Sequence, residues 1–214
     1  MRPYIVLGGG GHAKVVMEAM QLCGRTVLGF TDLTRRDSIG AIPWLGLDDV
    51  VDSYSPDDIW LVNGIGSVGD NSRRKGLFLT WKEKGYSFPT IIHPSAIVSP
   101  NAVLEEGVQL MAGVIVQTGT RIGVNTIINT RTMIDHNGLI GEHVHIAPGC
   151  VLSGNVTVAD DVHIGTGAVA IQGLTIGRKS IVGAGAVVVR DVEANIKVAG
   201  VPARKISTDT PGKE

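Results

Sequence analysis

The chain has 214 residues, enough for one large domain or two small ones that each bury a core without a disulfide or metal staple. A formal net charge of -1 gives no electrostatic case for nucleic acid or an anionic membrane as a partner. With Gly at 29, charged residues at 18% and aromatics at 4%, the composition points to many tight corners and small inward side chains.

The first strand and helix are read from "YIVLGGGGHAKVVMEAM", an apolar run from Tyr4, a glycine cluster, then a helical pattern. "TVLGFTD" from Thr26 reads as a second strand and "DIWLVNGIG" from Asp58 as a third. "DNSRRKGLFLTWKEKGY" from Asp70 reads as a second helix, capped at Asn71 or Ser72. Strands alternating with helices predict a small parallel sheet covered by helices over residues 1–92. "GGGGHA", Gly8 to Ala13, fits G-x-G-x-x-A after a strand, with Asp32 at the tip of the next strand. Such a turn lets a phosphate approach bare backbone at a helix N-terminus while the acid receives a ribose hydroxyl, the Rossmann-like arrangement. A tight turn with no ligand fits the same residues. No G-x-x-x-x-G-K-[ST] occurs, which excludes a P-loop, and nothing in the remaining chain offers a substrate domain for hydride transfer. Cys23 and Cys150 make no zinc or redox spacing and read as reduced, partly buried thiols. No leader-like segment precedes the first strand, and no apolar stretch reaches the ~18 residues of a membrane span. The expectation is a cytoplasmic protein without a membrane partner.

The grammar changes at "FPTIIHPSAIVSP", where three prolines cluster. From Ile97 onward every sixth residue is a large aliphatic, from Val98, Leu104 and Leu110 through to Val188, with Ala170 the one small exception. Small or β-branched residues such as Ala102, Val108, Thr120 and Thr132 follow four positions later, with Gly and Asn between. This is a hexapeptide repeat, in which each unit makes one short strand and a corner. It predicts a parallel β-helix over residues 93–192, three hexads to an eighteen-residue coil, followed by a tail over 193–214. Residues eighteen apart should then stack at ~4.8 Å.

That rule gives geometry to "TMIDHNGLIGEHVHIAPGC", residues 132 to 150, which holds His136, His143 and His145. His136 comes two residues after inward Ile134, so it sits at a corner and points away from the core. Gly154, in "LSGNV", lies eighteen residues on, directly beneath it. A ring nitrogen beside a backbone N–H can take a proton while the amide steadies an oxyanion, although an outward histidine at a corner can equally be a solvated one. His145 and His163 are also eighteen apart, each before an inward aliphatic, and should stack on one outer wall. His143 and Glu142 read as solvated corner residues. Zinc carbonic anhydrases built on the same repeat carry a histidine pair five residues apart; no two of His12, His93, His136, His143, His145 and His163 have that separation, so no metal is expected.

A glycine-rich α/β half joined through "IIHPSAIVSP" to hexapeptide repeats, and closed by "VAGVPARKI", resembles the bacterial sugar acetyltransferases of the sialic acid O-acetyltransferase family. In appearance it is most similar to the N-acetyltransferases of nucleotide-linked 4-amino-4,6-dideoxy sugars, among them the GDP-perosamine enzymes of O-antigen biosynthesis. The resemblance implies left-handed coil connections, against the usual crossover rule, and a homotrimer with acetyl-CoA bound between neighbouring subunits. It implies a nucleotide-sugar pocket lined by Gly9, Gly10, Gly11, His12, Asp32, Asn63 and Gly64. Arg73 in "SRRK" either reaches the phosphates or belongs to a solvated helix face, and His145 makes a polar contact to substrate or cofactor. His136 becomes the general base and the Gly154 N–H the oxyanion donor at the cofactor's thioester. Gly200, Pro202, Arg204 and Lys205 fall near the CoA end of the groove, or simply reverse the chain and cap the coil. The family places an acidic residue directly after its histidine; Asn137 stands there instead. Three functions stay open: N-acetylation of a UDP- or GDP-linked amino sugar, O-acetylation on the same scaffold, and non-catalytic nucleotide-sugar binding, for which Asn137 speaks.

Overall fold

The computed structural model describes residues 2–35 and 37–206; residues 207–214 of the expected tail lie outside the described residues. The N-terminal half is a five-stranded sheet in the order β3-β4-β2-β1-β5, with β1 Tyr4–Leu7, β2 Val27–Thr31, β3 Ser38–Ile39, β4 Ile42–Gly46 and β5 Trp60–Asn63. β1 pairs in parallel with both β2 and β5, so all three C-terminal ends open on one edge. β3 and β4 form a hairpin turned at Gly40, whose φ is +58°, and β4 then joins β2 in parallel. The sequence reading has three strands here and lacks this hairpin. Ser38–Ile39 is too short, and Pro43 too atypical of a strand interior, for periodicity to register. α1 spans Gly11–Leu22 and α2 spans Ser72–Glu83.

From β6, Ile91–Ile92, the chain is a left-handed parallel β-helix of two-residue strands. Each hexad places its aliphatic residue inward, and the column Ile122, Ile128, Ile134, Ile146 and Ile164 is at most 1% exposed. Three ladders run along the coil. The first face carries Ile91, Gln109, Ile127, His145, His163 and Ile181 outward, the second Ile97, Ile115, Met133, Val151, Val169 and Val187, and the third Val103, Arg121, Leu139, Thr157 and Thr175. Partners stand eighteen residues apart until the last turn, where Ile181 pairs with Lys197. The ladder therefore extends beyond 93–192 at both ends.

Corners explain the composition. The third residue after every inward aliphatic, from Gly107 to Gly185, has φ between +55° and +76°. Glycine takes that conformation without strain, and asparagine tolerates it best among residues with a Cβ. Glycine or asparagine stands at ten of these fourteen sites, Asn125, Asn137 and Asn155 among them. Inside the coil, Thr120, Thr126 and Thr132 donate their hydroxyls to the carbonyls of Asp135, Gly141 and Ala147 at 2.9 to 3.0 Å, so a buried hydroxyl is tolerated where Val stands in other coils.

The N-terminal half lies against the first face. Met17 and Met20 of α1 join a core with Ile91 and Met111, while Phe78 of α2 meets Phe88 at 4.6 Å between ring centroids. Two ion pairs pin α2 to the coil, Lys75 to Asp161 at 2.8 Å and Lys82 to Glu106 at 2.9 Å. Two expectations change at this seam. Asn71 is not a capping side chain; its Nδ2 donates to the carbonyls of His143 and Val162, and Asp70 instead receives the Ser72 N–H. His143 is no solvated corner residue: it is 5% exposed, packed edge-on against Phe78, because the corner it occupies is the one α2 covers. Glu142 does face solvent. Cys150 is buried, whereas Cys23, expected to be partly buried, is exposed.

Candidate active site

Two separate places hold the residues singled out by sequence. The first is a cavity of about 730 Å³ between the sheet edge and the first face of the coil. One end of it is the glycine turn. Any Cβ on Gly9 would strike the Phe30 ring and the Asp32 carboxylate, so only glycine lets β1 pass this close to β2. A Cβ on Gly10 or Gly11 would meet open space, and among the described residues neither N–H has a protein acceptor. α1 begins there with no acidic residue in its first turn, which leaves its positive end free for an anion. Asp32 receives the N–H groups of Gly9 and Thr34, both at 2.9 Å, and so ties together two loops of the rim.

The floor comes from the β5 exit and the coil. Gly64, Ile65, Gly66 and Ser67 line it, with Asn129 and His145 opposite. Ser67 Oγ lies 2.7 Å from His145 Nδ1, and Asn129 Nδ2 is 3.3 Å from His145 Nε2. His12 closes another side, its Nε2 2.7 Å from Gln109 Oε1. Burial pushes both imidazoles down, His12 to about 4 and His145 to about 3, helped by the nearby Arg74 guanidinium. His145 also meets His163 edge-on at 5.1 Å. All of these rings are neutral at pH 7 and serve as hydrogen-bonding groups. Of "SRRK", Arg73 reaches the cavity rim, Arg74 is buried beneath it, and Lys75 is spent on Asp161. Asn63 turns away from the cavity and donates to the Arg74 carbonyl and to Asn125 Oδ1.

The second place is the corner after Met133–Ile134. The His136 imidazole rests on Gly154: a Cβ there would overlap its Cε1 and Nε2. The Gly154 N–H has no protein acceptor among the described residues, so a ring nitrogen and an open amide stand together at one spot. Asp135 Oδ1 receives the His136 N–H at 2.7 Å and sets the loop, and the Asn137 side-chain amide lies 3.2 Å from His136 Nδ1. Asn137, with φ at 57°, is a corner residue like Asn155 beneath it. Further along the coil, Gly200 and Pro202 form the turn between Lys197–Ala199 and the exposed strand Arg204–Ile206. The Gly200 carbonyl and the Ala203 N–H both bond to Val187, so this turn caps the second face, the face that leads to His136.

Asn129, Ser67 and Gly66 line the cavity and Gln109 holds His12 at its wall; all four escaped the sequence reading. The eighteen-residue rule does place Gln109, Ile127 and His145 on one ladder, and that signal was available for Gln109. No group of three or more His, Cys, Asp or Glu side chains suited to a metal ion occurs among the described residues, and no helix there is long and apolar enough to cross a membrane.

Comparison with known proteins adds to this geometry. Residues 4–80 match the PglD N-terminal domain. The GDP-perosamine N-acetyltransferase from Caulobacter crescentus, solved with CoA and GDP-perosamine, is 38% identical, with 97% of this chain and 98% of that one covered at a TM-score of 0.90. The acetyltransferase domain of PglB from Neisseria gonorrhoeae is 36% identical over 96% of this chain and 100% of its own, with a TM-score of 0.91, and has also been solved with acetyl coenzyme A. WeeI from Acinetobacter baumannii is 27% identical over 96% and 100% of the two chains, with a TM-score of 0.87. A comparison with curated protein sequences yields no match. Similarity of this extent, over a glycine-turn α/β half and a hexapeptide coil in the same order, means that the chain is an enzyme belonging to the bacterial sugar acetyltransferases.

Proposed function

We propose that this protein moves the acetyl group of acetyl-CoA to the amino group of a UDP- or GDP-linked amino-deoxysugar, with His136 as general base. The observation that carries the reading is the His136 imidazole seated on Gly154. In the reaction the amine attacks the thioester carbonyl while His136 Nε2 takes its proton. The Gly154 N–H steadies the oxyanion of the tetrahedral intermediate, which then expels CoA as thiolate, and the imidazolium returns the proton to sulfur. For Nε2 to be the free nitrogen, Nδ1 must hold the ring proton, and Asn137 must present its Oδ1 to it; a half-turn of the amide achieves this. The amino acceptor is favoured over a hydroxyl by the Caulobacter relative, whose substrate complex contains GDP-perosamine.

The arrangement supports a trimer. The cavity opens beside Asn129, at the end of the first face, whereas His136 stands one corner further round the coil. The outward column of the second face is aliphatic from Ile97 to Val187, with Ile97 65% exposed and Met133 38%. A second copy against this face shields it and brings its own cavity toward His136. From the rung of Ile134 to that of Val188 is three steps of ~4.8 Å, roughly 14 Å, a length suited to a pantetheine arm running from the capping turn at Gly200 and Pro202 to the base. Arg204 and Lys205 then stand at the phosphate-bearing end. The test is the release of free CoA with UDP- and GDP-linked 4-amino sugars and their 4-hydroxyl analogues assayed side by side. Turnover with an amino acceptor alone is expected. Turnover with the hydroxyl analogue, or with none, contradicts the reading.

A further inference from the structure

Arg74 is costly where it stands. It is 2% exposed, its pKa is pulled down to about 9 by burial, and it occupies the first turn of α2, where the positive end of the helix disfavours a cation. None of its hydrogen bonds ends on a carboxylate. Nη1 donates to the carbonyls of Asn63 and Ile65, both at 2.8 Å, Nε donates to the Asn125 carbonyl at 3.2 Å, and Nη2 is buried with no acceptor among the described residues. A neutral side chain of similar length fills such a site at lower cost, since a buried cation without a counter-charge loses its hydration for weak return. A retained charge here implies an anion that is added later.

Geometry indicates where the anion sits. In a planar trans peptide the C=O and N–H point in opposite directions. Arg74 draws the Ile65 carbonyl down, which turns the Gly66 N–H away from the guanidinium, on the side of the cavity that Gly66 lines. That N–H has no protein acceptor among the described residues. Across the cavity stand the open N–H groups of Gly10 and Gly11 at the start of α1. The cavity thus offers two separate amide sites, one backed by a helix end and one by a buried guanidinium.

We propose that Arg74 is the positioning charge for the diphosphate of the nucleotide sugar, holding one phosphoryl group through the Gly66 amide while the glycine turn of α1 holds the other. This rests on the nucleotide-sugar reading above. Exposed Arg73 at the rim is then secondary, and the essential cation is the one hidden from solvent.

The test is calorimetric binding of UDP and GDP to the full-length protein and to Arg74→Lys and Arg74→Gln, with acetyl-CoA binding as the control for fold. A charged hydrogen-bonding partner lost at this point should weaken the preferred nucleotide by about tenfold or more in Arg74→Gln and by about threefold in Arg74→Lys, with acetyl-CoA affinity unchanged in both. A role confined to holding the loop predicts no difference between the two variants, because Gln reaches carbonyls as well as Lys does; nucleotide binding by Arg74→Gln equal to or tighter than that by Arg74→Lys overturns the inference. If Arg74→Gln does not fold, the native protein decides. Its Gly66 amide proton should shift downfield on addition of UDP or GDP and stay in place with uridine or guanosine, and an unmoved Gly66 resonance with bound diphosphate overturns it. Failure of the native protein to bind either nucleotide marks the nucleotide-sugar reading itself as wrong, and this inference falls with it.

Discussion

His136 and His145 stand nine residues apart in one repeat, yet their surroundings differ completely. His145 projects from the first face, under the N-terminal half, where Ser67 and Asn129 hold both ring nitrogens and burial keeps it neutral. His136 projects from a bare corner, with glycine beneath it and one neighbour at Nδ1. The backbone around the two is the same coil. On the proposed reading, what separates a hydrogen-bonding fixture from a proton acceptor is the cover: the base stands where the repeat is left uncovered and one rung supplies an amide to the next.

The sharpest way to break the comparison is to take away the glycine that makes the corner usable. Gly154→Ala places a methyl group where the imidazole lies, and should lower turnover by roughly 10²- to 10³-fold while the coil still melts as the native one does. Steady-state CoA release beside a thermal melt checks this; a loss below fivefold means that ring and glycine do not act together.

A second way is to protonate the covered histidines. His12 and His143 are lowered to about 4 and His145 to about 3, with His163 lowered as well, mainly by burial, while Arg74 adds to the effect on the first three and Lys75 to that on His143. Asp161 and Asp160 oppose it at His143. The unfolded chain holds these protons from about pH 6.5 downward and the folded chain does not, so the stability they confer is full above pH 6.5 and is lost as the pH falls toward 4. His12 alone should cost about 2 kcal/mol between pH 7.5 and pH 5. Melting followed by tryptophan fluorescence, which reports on Trp44, Trp60 and Trp81 in the N-terminal half, should move down by several degrees over that range. A flat profile from pH 7.5 to 5 shows that the seam opens to water more readily than its packing implies.

The smallest effect is expected at Asn137. A carboxylate there accepts the Nδ1 proton and stabilises the imidazolium, so Asn137→Asp should raise turnover by roughly three- to thirtyfold and shift the acidic limb of the pH–rate profile upward. The fold adds a refinement. Residue 137 is a corner with φ at 57°, where aspartate is tolerated better than glutamate, so Asn137→Glu should gain less and melt lower. Unchanged rates in both variants place the partner of the imidazole elsewhere, with Asp135 nearest.

These expectations also show what a linear sequence carries. The period of six located every short strand from Ile97 to Val188, and the eighteen-residue rule set His136 over Gly154, because both follow from the backbone repeat alone. The glycine turn was legible for the same local reason. The burial of His143, the diversion of Asn71 to the coil carbonyls and the sinking of Arg74 below the cavity were not legible, since all three depend on which face the N-terminal half covers. Asn129 and Ser67 join the cavity through that same docking.

The most direct measurement is a kinetic comparison of His136→Ala with His145→Ala under saturating acetyl-CoA. If cover decides the chemistry, His136→Ala loses roughly 10²- to 10⁴-fold in kcat with little change in acetyl-CoA affinity, while His145→Ala raises KM for the sugar nucleotide about tenfold and leaves kcat within about threefold of the native value. Equal losses of kcat in the two variants, or a larger one at His145, would contradict it.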